Sequence, residues 1–407
     1  MKKNINSWGN FNPEIKYKVN KYPNSISYLD IGNLNSYGDC CLPLNSISKI
    51  KKSSLVNETI FNYQMKHGNY LYGTPGKSDV TIAGAVASDT HGKDNTWGGS
   101  FYKNVKKIHL SVNGDELEIS KEKEPELFDA TIGGYGLTGT IKDIELYESD
   151  INLSETYKTF IETGFGIDNL LSSFNSKNKE FWVGWIDLCN KKFPWVTKKS
   201  IPNNNQLKNT IPKKNFEINL SIPFIGKNKF KILFLINKAY FLSNKFFKID
   251  EYSYYKTFFP LSFMTDTRNI SKHRKIVQVQ FSIPTGNAHL IESLLIKLIK
   301  NQTPLLCSIK KLTNQKSLNN LSFYQEGWTV AVDFSYHEFD KTSIKKFYKE
   351  LSKCGGKIYL AKDSTLDEEN FKLMYPEYYE WEKIVKEIDP NNLYQSYLSK
   401  RLGLKKW

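Results

Sequence analysis

The sequence predicts an α+β chain of two domains. Three observations carry this expectation. Its 407 residues are long for one hydrophobic core and natural for two. The composition shifts near residue 150, where a polar stretch begins with Trp182, Trp185 and Trp195 interspersed. Strand patterns at 105–119, 140–147, 275–283 and 328–334 stand beside helical patterns at 288–300, 341–353 and 366–405.

The elements follow in order. Residues 1–36 are polar and end in a turn-rich stretch, Asp30-Ile31-Gly32-Asn33-Leu34-Asn35-Ser36. Pro75-Gly76 marks a tight turn. Val80-Thr81-Ile82 then leads into small residues, Ala83 to Ser88, which permit close backbone approach to another element or to a ligand. Residues 105–119 alternate around Asn113-Gly114-Asp115, which predicts a hairpin. Pro125 to Ala130 predicts a short helix, and a strand follows from Thr140 to Tyr147. Residues 221–248 are apolar and basic. Gly355-Gly356 ends the helix at 341–353, a strand Lys357 to Leu360 follows, and the tail is helical. No internal repeat is present.

Charge narrows the function classes. The 57 basic and 42 acidic residues leave +15, yet only Arg268, Arg274 and Arg401 are arginine. Sequence-reading nucleic-acid binders use arginine forks, so the balance predicts anionic substrates or surfaces and no nucleic-acid partner. The five cysteines show no metal spacing and no disulfide framework, which predicts a reducing compartment and no metal. The start has no signal-type apolar stretch, and no run of 18 apolar residues exists. A cytoplasmic protein is expected, peripheral at most on the inner face of the membrane.

Several residues are candidates for chemistry. Gly133, Gly134, Gly136 and Gly139 fall within seven residues, either as a tight turn or as bare backbone for a flat cofactor or a pyrophosphate. They match neither GxGxxG nor GxxxxGK[ST], which argues against a Rossmann fold or a nucleotide triphosphatase. His91 follows the small-residue run and titrates near neutrality; it is either structural or catalytic. Lys362, after a predicted strand end, is a solvated surface group or a fixed positive charge facing an anion. Gln278 and Gln280 share one face of their strand, as a polar pocket wall or an exposed sheet face. The segment 221–248 could lie on an anionic membrane, cover a pocket mouth, or be core with solvated lysines.

Together these stretches resemble the vanillyl-alcohol-oxidase-type FAD enzymes with a PCMH-type FAD-binding domain, and within them the decaprenylphosphoryl-β-D-ribose oxidase subfamily. The resemblance rests on Ser36-Tyr37-Gly38-Asp39, Pro75-Gly76 with Val80 to Lys93, Pro125-Glu126-Leu127-Phe128 with Gly133 to Gly139, and Ala361-Lys362-Asp363-Ser364. Met374-Tyr375-Pro376, Asp389-Pro390 and Lys400-Arg401-Leu402 add to it in the tail. It implies a bipartite FAD-binding domain over 1–150, a substrate domain with an antiparallel sheet over 151–356, and a C-terminal return over 357–407 that completes the FAD domain. Asp39 and Pro75 lie closer in sequence than in the family, which predicts a shortened first FAD lobe lacking strands and a helix.

By the same resemblance, Ser36, Tyr37, Gly38, Asp39, Gly76, Thr81, Ile82, Ala83, Gly84, His91, Gly92, Lys93, Asp94, Gly134, Gly136, Ile141 and Tyr359 would contact FAD. Covalent members carry a histidine where Ser36 stands, so the FAD would be non-covalent. Lys362, His91 and Gln280 would be catalytic, and Gln278, Lys310, Phe258 and Thr329 would face the substrate. The implied reaction oxidises a secondary alcohol of a sugar, C2′ of a polyprenyl-phospho-pentose, by hydride transfer to flavin N5 in cell-envelope polysaccharide precursor synthesis. A partner short-chain reductase would then complete an epimerisation. An aldonolactone oxidase of D-arabinono-1,4-lactone type is the alternative within the class; a degenerate flavoprotein-like binding or scaffold module is the alternative outside it. The family's glycine-arginine pair stands here as Leu34-Asn35, and its HGKN as His91-Gly92-Lys93-Asp94. A family tyrosine stands as Phe258, an asparagine as Thr329 and a cysteine as Ala331.

Overall fold

A computed structural model describes residues 2–3, 6–9, 17–19, 29–44, 46–48, 55–174, 179–205, 229–246, 248–260, 275–315, 321–336 and 339–406. Arg268, Arg274 and the first part of the apolar and basic stretch, 221–228, lie outside these residues. The described residues carry a small mixed sheet of β1 (Lys2–Lys3), β2 (Tyr17–Val19), β3 (Leu29–Asp30) and β4 (Ser46–Ser48). Its order is β1-β2-β4-β3, with β4 parallel to both β2 and β3. Each of these strands is only two or three residues long.

Two helices follow. Helix α1 (Ile60–His67) starts at Thr59, whose hydroxyl accepts from the Asn62 N–H, and stops at the left-handed Gly68. Helix α2 (Ile82–Ser88) takes up the small-residue run, with Thr81 as its cap. The hairpin forms as the sequence predicts. Strands β5 (Val105–Val112) and β6 (Asp115–Ser120) are joined by Asn113 and Gly114 at φ of 56° and 102°. Both angles are positive, the backbone that Asn-Gly supplies at least strain. After α3 (Pro125–Thr131), strand β7 (Thr140–Leu146) completes a three-stranded antiparallel sheet, β6-β5-β7.

The third sheet is antiparallel throughout, in the order β11-β8-β10-β9-β13-β14-β12-β15. The region 151–220, read from sequence only as polar, supplies β8 (Thr156–Phe165) and, after α4 (Ile167–Ser173), β9 (Phe181–Ile186) and β10 (Pro194–Pro202). Tyr157, Ile161, Phe181, Trp182 and Val196 are buried there while charged neighbours point outward. Helix α5 (Lys229–Phe246) lies on this part of the sheet. Then come β11 (Ile249–Ser253), α6 (Tyr254–Phe258) and β12 (Ile276–Pro284). The helix expected at 288–300 begins as a 3₁₀ turn, and α7 proper spans Ile291–Leu298. Strands β13 (Pro304–Leu312) and β14 (Gly327–Ser335), helix α8 (Lys341–Lys353) and strand β15 (Lys357–Ile358) follow. The strand expected to reach Leu360 is thus only two residues long, and it pairs with β12 in the large sheet.

The tail is three helices rather than one, α9 (Glu368–Met374), α10 (Tyr378–Ile388) and α11 (Tyr397–Leu402). Pro376 and Pro390 explain the breaks, because a residue before proline is pushed out of the helical region. The tail packs into one core that also holds Leu29, Ala130 and Leu137 from the N-terminal half and Val277, Phe281 and Val330 from the large sheet. Lys405 is fully buried beneath it. Its ammonium donates to the Leu137 carbonyl (2.9 Å), the Tyr394 carbonyl (2.9 Å) and Asp389 Oδ2 (2.6 Å). Replacing Lys405 by methionine leaves the Asp389 carboxylate buried without its cation. The expected cost is about 3–5 kcal/mol, read as a lower urea midpoint, and an unchanged midpoint would contradict this role.

Candidate functional site

Small side chains shape a cleft. On α2, Ile82, Ala85 and Val86 turn into the core. Ala83, Gly84 and Ala87 face the opposite way and line a surface trench. Its first part is a cavity of about 150 Å³ that opens onto the surface. Leu34, Asn35, Ser36, Cys40, Thr81, Tyr135, Tyr359 and Lys362 line it. A second part, of about 70 Å³, shares Asp30, Gly32, Thr81, Gly84, Ala87 and Gly136 with the first and reaches Val56 and Ile141. The trench is therefore elongated, with a floor of glycine and alanine and one lysine at one end. That shape takes an extended, flat ligand.

A polar string lies one layer behind the Lys362 end. The Gln280 side-chain nitrogen contacts His91 Nε2 (2.7 Å) and donates to Thr329 Oγ1 (3.0 Å), and all three residues are buried. The imidazole packs on Tyr359 and Phe323, with ring centroids 4.9 and 5.5 Å away. The Tyr359 hydroxyl donates to the Ser88 carbonyl (2.8 Å), which ties the string to the cleft wall. His91 Nδ1 is buried and has no hydrogen-bond partner among the described residues. Burial, then the charges of Lys310 and Lys362, hold the imidazole well below its ordinary range, so it is neutral at pH 7.

The Lys362 ammonium sits 4.3 Å from the centroid of the Tyr37 ring. Burial brings it down to about 8, Lys310 adding to the effect and Asp333 opposing it. Lys310 also falls to about 8 through burial, opposed by Asp94. Asp333 accepts from the Gln278 side chain (2.5 Å), and burial raises its carboxyl to about 6. These groups form a cation-rich patch beside the cleft, where a bound anion would relieve the repulsion.

The cleft wall is held by a long-range clamp. Arg401 donates from Nε and Nη2 to the two oxygens of Asp39, both at 2.8 Å, and from Nη1 to Asp363 Oδ2 at 2.7 Å. Between these carboxylates the backbone packs closely: a Cβ on Gly38 would lie 1.6 Å from the Asp363 carbonyl oxygen.

Of the residues expected at FAD, the trench gathers Ser36, Thr81, Ala83, Gly84, Gly136, Ile141 and Tyr359. The others lie elsewhere. Ile82 is a core residue, and Gly134, whose Cβ would meet the Ala130 carbonyl at 2.2 Å, serves the turn. Tyr37 is buried against Trp8 (4.5 Å), and Asp39 is taken up by Arg401. Gly76 is not a lining residue; its neighbour Pro75 is. Gly92 packs against Thr74, and Asp94 accepts from the Gly73 N–H (3.0 Å). Lys93 leaves the trench altogether: its ammonium donates to the Thr257 carbonyl, and burial with Lys198 and Lys310 lowers it to about 7.

Among the expected substrate residues, Gln278, Thr329 and Lys310 belong to the polar patch. Phe258 does not; it is 2% exposed within an aromatic cluster, with ring centroids 4.8 Å from Phe181 and 5.2 Å from Tyr70 and Tyr157. The reason is its place on α6, whose inner face fills a core. Sequence reasoning missed Cys40, Cys41 and Leu34 as wall residues, Thr90 beside His91, and Val56 at the far end. Of these only Leu34 lay in a stretch that the sequence singled out by its turn residues, 30–36. Gly38→Ala should cost at least about 3 kcal/mol by forcing the two backbone segments apart, measured by chemical denaturation. A stability within error of the parent would remove the close approach from the account.

No family model matches the chain. It is 26% identical over 364 residues to the decaprenylphosphoryl-β-D-ribose oxidase of Mycolicibacterium smegmatis, a match that covers 84% of this chain and 77% of that protein. A shorter match, 39% identical over 67 residues, is to an uncharacterized protein in the mprA 5′ region of Streptomyces coelicolor; it covers 16% of this chain and 18% of that one. The long match makes the chain a distant homologue and points to the FAD-linked oxidase superfamily with PCMH-type domains, and so to a flavin cofactor class and an oxidase reaction on a CH–OH group.

Proposed function

We propose that the protein is an FAD-dependent oxidoreductase that oxidises a secondary alcohol of a sugar, C2′ of a polyprenyl-phospho-pentose, in the synthesis of cell-envelope precursors. One observation carries the reading: the small-residue trench is lined by Lys362 and by Tyr359, whose ring packs on His91 of the buried His91–Gln280–Thr329 string. The residues fit the cofactor. Gly32, Gly84 and Gly136 leave room along the floor, and Ser36 in place of a linking histidine suits a non-covalent ligand. When bound, FAD supplies the two-electron acceptor for hydride transfer from the carbinol carbon.

The chain's own residues supply position, charge and a proton site. Lys362 holds a positive charge at the cleft end, where negative charge develops. His91, neutral because it is buried near two lysines, is the base that takes up the alcohol proton. Gln280 and Gln278 orient the sugar, and Lys310 faces the phosphate. The oxidised product is a keto sugar, which a partner short-chain reductase would take up.

Three measurements test this. The purified chain should show flavin absorbance near about 370 and 450 nm, bleached by the sugar alcohol. A folded chain that stays colourless in saturating FAD would overturn the reading. Lys362→Ala should retain FAD while its reduction slows by about 10²–10³-fold; an unchanged rate would reject the role of Lys362. The ammonium exists below its pKa, so reduction should fall as pH rises through about 8, and that limb should be missing from the Lys362→Ala profile.

A further inference from the structure

We propose that the outward face of α5 seats the protein on an anionic lipid membrane surface. The helix is pinned by its other side. Leu233, Phe241 and Asn244 are buried against the sheet, Asn237 donates to Asp187 Oδ1 (2.7 Å), and Phe241 packs on Phe165 with centroids 5.2 Å apart. The helix therefore cannot roll to bury what it exposes. What it exposes is large and apolar: Phe246 is 79% exposed, Leu235 63% and Phe230 50%, with Ile232, Ile236, Tyr240 and Leu242 also open.

The pattern is regular. Ile232, Leu235, Ala239, Leu242 and Phe246 recur at alternating spacings of three and four, which sets them in one ridge along the helix. At 3.6 residues per turn, the exposed apolar side chains from Leu242 round to Tyr240 span roughly 160° of the circumference. Lys231, Lys238 and Lys245 recur every seven residues and form a row on one flank of that sector. On the neighbouring strands β8 and β11, Phe165 is 47% and Ile249 56% exposed.

Charge selects the occupant. Between 229 and 249 the ionisable residues are all lysines, Lys229, Lys231, Lys238, Lys245 and Lys248, and no acid occurs. A partner with the same surface would bring lysine toward lysine. A helical partner would cover a narrow ridge, whereas this sector spans nearly half of the helix circumference. A bilayer with anionic headgroups satisfies both demands: acyl chains take the broad apolar sector, and phosphates take the lysine row. The helix lies on that surface, since no helix of the described residues is long and apolar enough to cross a membrane. The inference rests on α5 and not on the flavin reading, and its test needs neither cofactor nor substrate.

The full chain is sedimented with vesicles of phosphatidylcholine alone and of phosphatidylcholine mixed equally with phosphatidylglycerol. Binding is expected to the mixed vesicles only, and to weaken as salt is raised. The double variant Leu235→Glu, Phe246→Glu should lose at least tenfold of that binding; both positions are open to solvent, so its unfolding midpoint should match the parent. In a separate variant, Phe246→Trp, indole emission should shift to the blue on mixed vesicles. No sedimentation of the parent, undiminished binding of the double variant, or an unshifted emission would each overturn the proposal. A lipid-free dimer abolished by the same double variant would also overturn it, by assigning the face to a second copy.

Discussion

Arg401 holds together two parts of the chain that everything else at the cleft presupposes. Its planar fork engages both oxygens of Asp39 and one of Asp363, and both carboxylates are 2% exposed. It is the single arginine among the described residues, in a chain otherwise served by lysine. The choice has a physical reason. A lysine ammonium is a point charge, whereas two buried carboxylates on separate segments need donors fixed in a plane. With that clamp in place, the backbone at Gly38 can rest on the Asp363 carbonyl. The wall residues on either side, Ser36 and Cys40 from one segment and Tyr359 and Lys362 from the other, then face a common space.

The site beside the clamp is built against electrostatic comfort. Lys310 lowers the proton affinity of Lys362, and both lower that of His91, with Asp333 and Asp94 as partial counterweights. Such an arrangement costs stability in the folded chain and is retained where a charge is useful. The tail shows the contrast: Lys405, equally removed from water, meets three acceptors and serves packing alone. The same residue type therefore does two jobs, and the number of acceptors around the ammonium tells them apart.

Local chemistry was legible in the sequence. Asn113-Gly114 announced the hairpin, Gly355-Gly356 closed α8, and the small residues after Thr81 marked the cleft floor without revealing that they form a helix. The motif residues of the resemblance named Lys362, His91 and Gln280, which the fold brings within one neighbourhood. What sequence could not show was direction and distance. Lys93 follows His91 by two residues yet turns to Thr257, because the chain between them passes from cleft wall to sheet. Phe258 keeps an aromatic ring at a substrate position of the family but spends it on a core. Strands β8 to β10 escaped notice because buried polar residues, Thr159, Thr197 and Ser200, interrupt their apolar pattern, and pairing across the sheet makes them strands.

The span of the Arg401 clamp bears on how the protein is made. Arg401 lies 362 residues from Asp39, so the wall cannot assemble until α11 has left the ribosome. During synthesis the earlier segments must wait with half a cleft, unable to keep any ligand that needs both sides. A ligand that needs both sides could enter only after that, and a chain cut back before Arg401 would keep nearly every wall residue and lose the clamp that sets them face to face.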